Sequence, residues 1–243
     1  MVKIRSRLLG RIDTLSAYLK IIEAHCGDDD YFFRGQREDW PMVPKLARLT
    51  PRTDRGRDEQ SMVDDFRRQV AAYREQPNTD WDLLSIAQHH GMATRLLDWT
   101  SSSLFGLWFA VEQPATNPEQ PAVVYLIGHK QGDLVQNLIK ESPFGRGRTK
   151  FFKPRAITTR IRAQQGFFSV HRYVGADTWV PLQQNLFFKA RLKKIEIPAT
   201  AFCDLRFELD RCGINRASMF PDLDGLCTHL TWSYTMEKDE SSD

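Results

Sequence analysis

Residues 103–111 read Ser-Leu-Phe-Gly-Leu-Trp-Phe-Ala-Val, with no polar side chain after the first position. A helix that is apolar on every side cannot lie on a surface, so this one is expected at the centre of the protein. Three serines, Ser101 to Ser103, precede it, and any of them can cap its first turn. Ala122 to Ile127 is a near-continuous apolar run, as expected of an inner strand covered on both faces. A buried helix beside a buried strand calls for a layered domain, and 243 residues suit one large domain better than two.

The remaining elements fit around that pair. Ile12, Leu15, Leu19 and Ile22 follow helical spacing, with Asp13 or Thr14 as the cap. Tyr31 to Arg34 reads as a short buried strand ended by Gly35. A helix is expected from about Arg57 to Gln76, and another from a cap at Asp80 to His89, stopped by Gly91. Arg95 to Leu97 reads as a strand entering a turn at Asp98-Trp99-Thr100. Leu134, Val135 and Leu138 suggest a helix, and 142–155 is the longest irregular stretch. Strands are expected at Gly166–Val174 and Leu192–Ile197. A helical stripe from Phe202 to Cys212 closes at Gly213, and a last helix has Pro221 at its first position. Helices and strands intermix without strict βαβ alternation. The expected fold is α+β: a single mixed domain with a central sheet, entire or split, flanked by helices.

Several classes are excluded or disfavoured. No run of 18 apolar residues exists, so no spanning helix is expected. The basic N-terminus lacks the apolar core of a signal peptide, which points to the cytoplasm. Cys26, Cys203, Cys212 and Cys227 show no metal spacing and read as idle thiols, and no metal is expected. No GxSxG, HExxH, GxxxxGK[ST] or GxGxxG string occurs. Net charge is only +3, but its distribution is uneven. Ser142 to Ala176 holds no acid and eight bases, among them Arg146, Arg148, Lys150, Lys153, Arg155, Arg160 and Arg162. Such a stripe can meet a phosphate backbone or remain a solvated loop. The acidic residues 237–243 read as a frayed tail.

Three segments carry a resemblance. The first is Tyr31-Phe-Phe-Arg-Gly-Gln36. The second runs from Gln88-His-His-Gly-Met-Ala-Thr-Arg-Leu-Leu-Asp-Trp-Thr100 into Ser103–Ala110. The third is Arg160-Ile-Arg-Ala-Gln-Gln-Gly-Phe-Phe168, with Phe220–Gly225 after it. Together, over roughly residues 28 to 230, they resemble the FRG domain family, named for the tripeptide that is Phe33-Arg34-Gly35 here. That implies an N-terminal helix at 1–27, the domain at 28–236 and the tail at 237–243. The order of elements is also similar to the ADP-ribosyltransferase fold. By that analogy Arg34 takes the first-strand role, Asp98 to Thr100 the second, and Gln164 stands where a catalytic glutamate is expected.

That second resemblance implies NAD as donor substrate and transfer of ADP-ribose through an oxocarbenium-like transition state. Arg34 would hold phosphate or ribose oxygens, or form a structural ion pair with Asp98. Asp98 and Gln164 would complete the catalytic set, although a glutamine can neither take a proton nor offset positive charge. Then another acid such as Asp98 or Glu196 would do the work, or the acceptor would need no strong base, or the domain would bind a nucleotide without turning it over. Gln36, Gln88, His89, His90, Thr94, Arg95 and Thr100 are the candidate cofactor contacts. Thr100 and Ser101 could also cap the helix, and Arg95 could pair with Asp98. The basic stripe and Trp40, Trp99 and Trp179 point to nucleic acid as acceptor. Resemblance to bacterial and phage FRG proteins implies a toxin or anti-phage effector, with an antitoxin or immunity protein as a possible partner. The alternatives are a nucleotide- or nucleic-acid-binding module without turnover, and a transferase acting on protein.

Overall fold

The computed structural model describes residues 6–27, 30–52, 55–73, 77–145, 147–155, 159–175, 178–237, 239 and 240. In chain order the elements are β1 (Arg7–Arg11), α1 (Leu15–Cys26), β2 (Tyr31–Gln36), α2 (Arg55–Val70), α3 (Asp80–His89), β3 (Leu96–Thr100), α4 (Ser103–Val111) and β4 (Ala122–Gly128). There follow β5 (Lys150–Phe152), α5 (Thr159–Ala163), β6 (Gly166–Val170), β7 (Tyr173–Gly175), β8 (Thr178–Trp179), β9 (Leu192–Ile197), α6 (Phe202–Arg211), α7 (Arg216–Met219) and α8 (Leu223–Tyr234). The fold is α+β. One seven-stranded sheet runs in the order β1-β9-β4-β2-β3-β6-β5, and β7 pairs with β8 apart from it. Among the described strand pairs of this sheet, only β1–β9 is parallel.

The all-apolar helix is central, as its composition requires. In α4, Leu107, Trp108, Ala110 and Val111 are buried against Phe33, Val124, Leu126 and Ile195, with Tyr18 of α1 and Phe202, Leu205 and Leu209 of α6. Ser102 is the capping serine; its side chain accepts from the Phe105 amide. Alternation along β2 sends Phe32, Arg34 and Gln36 to the opposite face, where Phe32 joins Val123, Tyr125, Ile127, Trp99 and Phe151. β4 is thus covered on both sides, which explains its unbroken apolar run. The chain makes a close backbone approach where β2 crosses α4. A Cβ built on Gly35 would lie 2.2 Å from the Gly106 carbonyl oxygen, so only glycine fits there.

The sheet is nearly two sheets. β2 pairs with β4 along its whole length, and β3 pairs with β6 along its whole length, but β2 and β3 meet only at Phe33 and Thr100. Continuing that register would place Gly35 opposite Asp98. Instead the strands diverge there.

Some local readings differ from the structure. β3 continues through Asp98, Trp99 and Thr100, which sequence reading put in a turn, because β6 pairs with all three. No helix forms at 134–138, because Leu134 and Val135 attach to β5 at Phe151. Asp222, not Pro221, opens α8, its side chain accepting from the Gly225 amide. Thr79 rather than Asp80 caps α3. The N-terminal segment adds β1 to the sheet edge beside β9. In the acidic C-terminal stretch, Asp239 and Glu240 pair with Arg206. Among the described residues no helix is long and apolar enough to cross a membrane, and no cluster of His, Cys, Asp and Glu could hold a metal.

A buried ion pair ties α2 to the sheet. Arg95 is 7% exposed at its side chain and Glu59 1%. The Arg95 Nε donates to both Glu59 carboxylate oxygens at 3.0 and 2.9 Å, and its Nη1 to the Pro143 carbonyl. Removing one partner strands the other's charge without water. Arg95→Ala is therefore expected to lower stability by about 3–5 kcal/mol in urea unfolding. The double variant Arg95→Met/Glu59→Leu should recover most of that loss; a double variant as unstable as the single one would show that the charge is not the cause.

Candidate functional site

The divergence of β2 from β3 opens a cleft of about 330 Å³. The Asp98 carbonyl has no β2 partner in the sheet register; Arg34 supplies a donor instead, Nη1 to Asp98 O at 2.7 Å. The Arg34 Nε donates to Gln36 Oε1 at 3.2 Å. Its nearest carboxylate, Asp98, stands 3.9 Å away, long for a tight ion pair. The Arg34 side chain is 17% exposed. Burial lowers its pKa to about 10, against the charge of Asp98, which raises it, while nearby Arg48 lowers it further. It is a guanidinium stripped of water and only loosely neutralised.

An arc of hydrogen bonds holds the surrounding groups. Gln88, in the last turn of α3, donates to both Asp98 oxygens at 3.4 and 3.2 Å. Thr94 Oγ1 donates to Gln88 Oε1 at 2.7 Å, so Thr94 orients Gln88 from behind and does not line the cleft. The Asp98 side chain itself is 61% exposed and turns toward solvent. Gln36 Nε2 donates to the Trp40 carbonyl at 3.0 Å and fixes the loop that carries Trp40 to the rim. Thr100 Oγ1 donates to Gln164 O at 2.8 Å and accepts from the Ser102 amide. Gln164 reaches the cleft, but its amide nitrogen donates to Met219 O at 3.0 Å. Arg34, Asp98 and Gln164, which are far apart in sequence, thus meet in one cleft, with Gln36, Gln88, His89, Thr100 and Arg160 around them.

Sequence reading missed part of the lining. Arg37, Arg48, Phe109, Glu112 and Phe167 also face the cleft. Glu112 is the first charge after the apolar helix, a signal that could have found it. Its carboxylate accepts from Arg216 Nη1 at 2.8 Å, and burial raises its pKa against the opposing pull of Arg216. Arg160 lies 4.1 Å from the centre of the Phe220 ring, and burial lowers its pKa. The cleft therefore presents four guanidiniums (Arg34, Arg37, Arg48 and Arg160) against two carboxylates, one of which, Glu112, is engaged by Arg216. Trp40 and Phe167 add ring surface.

Beneath the cleft, Trp99 Nε1 donates to Ser169 Oγ at 3.0 Å, and Ser169 Oγ lies 3.0 Å from His171 Nε2. An indole N–H can only donate, so Ser169 Oγ accepts from Trp99, while the direction of its bond with His171 Nε2 follows the imidazole tautomer. Burial, and secondarily the charge of Arg34, push the His171 pKa down to about 3. Its ring resonances should show no midpoint between pH 5 and 8. Below about pH 6.5 an unfolded chain takes a proton there that the folded one refuses, so His171 makes stability fall as the pH drops from 6.5 toward 3. A folded-state midpoint near 6.5 would refute this.

Other expected residues lie elsewhere. Arg95 does not reach the cleft or Asp98; it is consumed by Glu59. His90 is exposed and outside the cleft, its ring edge-on to His89. Glu196 pairs with Lys194 on β9, away from the cleft. Trp99 and Trp179 are buried, and only Trp40 is exposed. The basic stripe is acid-free only in one dimension. Arg148 pairs with Asp133, Lys150 with Glu141 and Arg155 with Asp82. Lys153 lies over the Phe167 ring, Arg162 is exposed, and Arg146 lies outside the described residues.

The family model of the FRG domain matches residues 29–119. The match spans β2 to α4 and takes in Arg34, Gln36, Gln88 and Asp98. Arg160 and Gln164, which the sequence resemblance included, fall outside the match. No curated protein and no solved structure matches the chain.

Proposed function

We propose that this FRG-domain chain binds a nucleotide in the split-sheet cleft and acts as an NAD-dependent ADP-ribosyltransferase, with nucleic acid as acceptor. The observation that carries the reading is Arg34, a largely buried guanidinium whose ion pair with Asp98 is 3.9 Å long. Such a group gains a partner when an anionic oxygen enters, and its planar fork suits phosphate or ribose oxygens. The excess of guanidiniums and the rings of Trp40 and Phe167 suit the rest of a nucleotide. The volume, about 330 Å³, is at the low end of the roughly 300–1,000 Å³ of small-ligand pockets. A mononucleotide half fits within it, and a dinucleotide extends past its rim.

The donor, when bound, supplies a ribosyl–nicotinamide bond whose cleavage builds positive charge on the ribose. The chain's own residues would divide the work. Arg34, with Arg160 and Arg48, would anchor phosphate. Gln88 steadies Asp98, which is the acid in the cleft that faces solvent and is not held in a short ion pair. Asp98 would orient ribose hydroxyls and oppose the developing charge. The test is incubation with labelled NAD and single- or double-stranded DNA or RNA. A mass gain of one ADP-ribose on the nucleic acid, lost in Arg34→Ala, is the expected result. Label on protein instead would transfer the reading to a protein acceptor. As a toxin or anti-phage effector, the chain would arrest growth on expression, and Arg34→Ala would relieve the arrest.

One observation favours a second reading, binding without turnover. Gln164 stands where the transferase analogy expects a glutamate, and its amide is already bound to Met219. Thermal stabilisation by NAD with no product of any kind would select this reading.

A further inference from the structure

The last helix, α8, turns its apolar side to solvent. At about 100° per residue, Leu223, Cys227, Leu230 and Tyr234 fall within about 60° of one another, with Leu226 beside them. The opposite side, with Gly225, His229 and Trp232, faces the domain. Gly225 is buried against Phe220, His229 lies 3.8 Å from Asp210, and Trp232 packs on Phe207 and donates to Glu240. An ordinary surface helix has the reverse arrangement. Leu223 and Tyr234 are 76% and 87% exposed, Leu226 and Leu230 44% and 47%, and Met236, just past the helix, 80%. At about 150–250 Å² for a large apolar side chain in the open, these five offer on the order of 600 Å². The largest apolar patch on a monomer is roughly 300–600 Å², and one that large commonly serves an interface.

The stripe also limits what can cover it. Leu223, Cys227, Leu230 and Tyr234 repeat at the alternating four- and three-residue steps of a coiled-coil seam, which is matched by a helix of the same spacing. The helix contains no Lys or Arg, and Asp224 is its one acid. A membrane-surface helix carries basic residues on its polar side, and a charged partner finds no opposite charge on this stripe. A second copy offers the same neutral seam. Laid antiparallel about a two-fold axis, Leu223 meets Tyr234 and Cys227 meets Leu230, so each layer joins a larger side chain to a smaller one. The stripe points away from the domain, so the two domains fall on opposite sides of the helix pair. Two such faces bury about 1,200 Å², the lower bound of the roughly 1,200–2,000 Å² of specific interfaces, which suits a dimer in equilibrium with its monomer. We propose that the chain self-associates through α8 as an antiparallel two-fold pair. None of the stripe residues lines the cleft, so the inference stands apart from the nucleotide reading.

Sedimentation equilibrium of the full chain under reducing conditions, from micromolar to submillimolar concentration, tests this. The mass should climb from 28.2 kDa toward twice that value. Leu230→Glu, at the centre of the seam, should hold it at 28.2 kDa throughout, with the urea midpoint of the dilute protein unchanged. Tyr234→Glu, at the most exposed position of the stripe, serves should the first variant fail to fold. Cys227 meets Leu230 across the seam only when the copies run antiparallel. Cys227→Lys and Leu230→Glu should therefore each stay monomeric alone and pair when mixed. A wild-type mass fixed at 28.2 kDa over the whole range, or glutamate variants that associate as the wild type does, overturns the inference. A mixture in which the two variants stay apart overturns the antiparallel pairing.

Discussion

Alanine at Gly35 is expected to destabilise the protein by about 3 kcal/mol or more, a large share of the roughly 5–15 kcal/mol that holds a domain folded. The reason is space. The added Cβ would sit 2.2 Å from Gly106 O, 2.4 Å from Ala110 N and 2.8 Å from Phe109 C. All three are backbone atoms of α4, which is locked in the core and cannot yield as a flexible side chain would. β2 and α4 would have to separate, and the cavity so opened runs through the centre of the molecule. Gly106 faces the same contact from the other side, since its Cβ would lie 2.8 Å from Phe33 Cβ. Gly147, where nothing lies within 4 Å, is the control: Gly147→Ala should stay within about 0.5 kcal/mol. Urea unfolding of both variants decides the matter, and equal midpoints would show that β2 does not rest on α4 as described. The tripeptide Phe33-Arg34-Gly35 then has a physical meaning. The phenylalanine fills the core, the arginine faces the cleft, and the glycine lets the strand lie on the helix.

The second large effect is on binding. Arg34→Met should weaken nucleotide affinity by about 3 kcal/mol, on the order of a hundredfold, the loss of a charged and forked pair of hydrogen bonds. The same substitution should leave stability unchanged or slightly higher. Burial drives the Arg34 pKa down to about 10, below its ordinary value, so its charge opposes folding at neutral pH. An apolar side chain of similar length removes that opposition at the expense of two hydrogen bonds, to Asp98 O and Gln36 Oε1. Arg34→Lys keeps a charge but not the fork, and should fall between the two in affinity. A group kept for a ligand thus differs from one kept for the fold. Arg95→Ala loses stability first, whereas Arg34→Met loses binding first. Parallel loss of binding and melting temperature in Arg34→Met would assign Arg34 to the fold instead.

Much of the architecture was legible because apolar patterning is local information. The wholly apolar 104–111 segment and the 122–127 run had one stable placement each, at the centre, and the structure puts them there. Misreadings cluster where neighbours distant in sequence decide. Leu134, Val135 and Leu138 have helical spacing, but Leu134 and Val135 attach to β5 instead. The Asp98-Trp99-Thr100 string looks like a turn until β6 supplies a partner. The basic stretch 142–176 looks uncompensated until Asp133, Glu141 and Asp82, all outside that window, arrive beside three of its members.

The candidate site divides the same way. The resemblance, carried by motifs that stand in the sequence, singled out Arg34, Asp98 and Gln164, and an arginine between aromatics and a glycine is in itself a polar group where burial is expected. Their meeting depends on two strands that touch at a single pair and then part, a matter of register between segments more than sixty residues apart. The same long-range packing decided that Arg95 would spend its charge on Glu59 while Arg34 kept its own facing a cleft. Side-chain chemistry is written in the chain, but which charge finds a partner depends on what folding brings within a few ångströms.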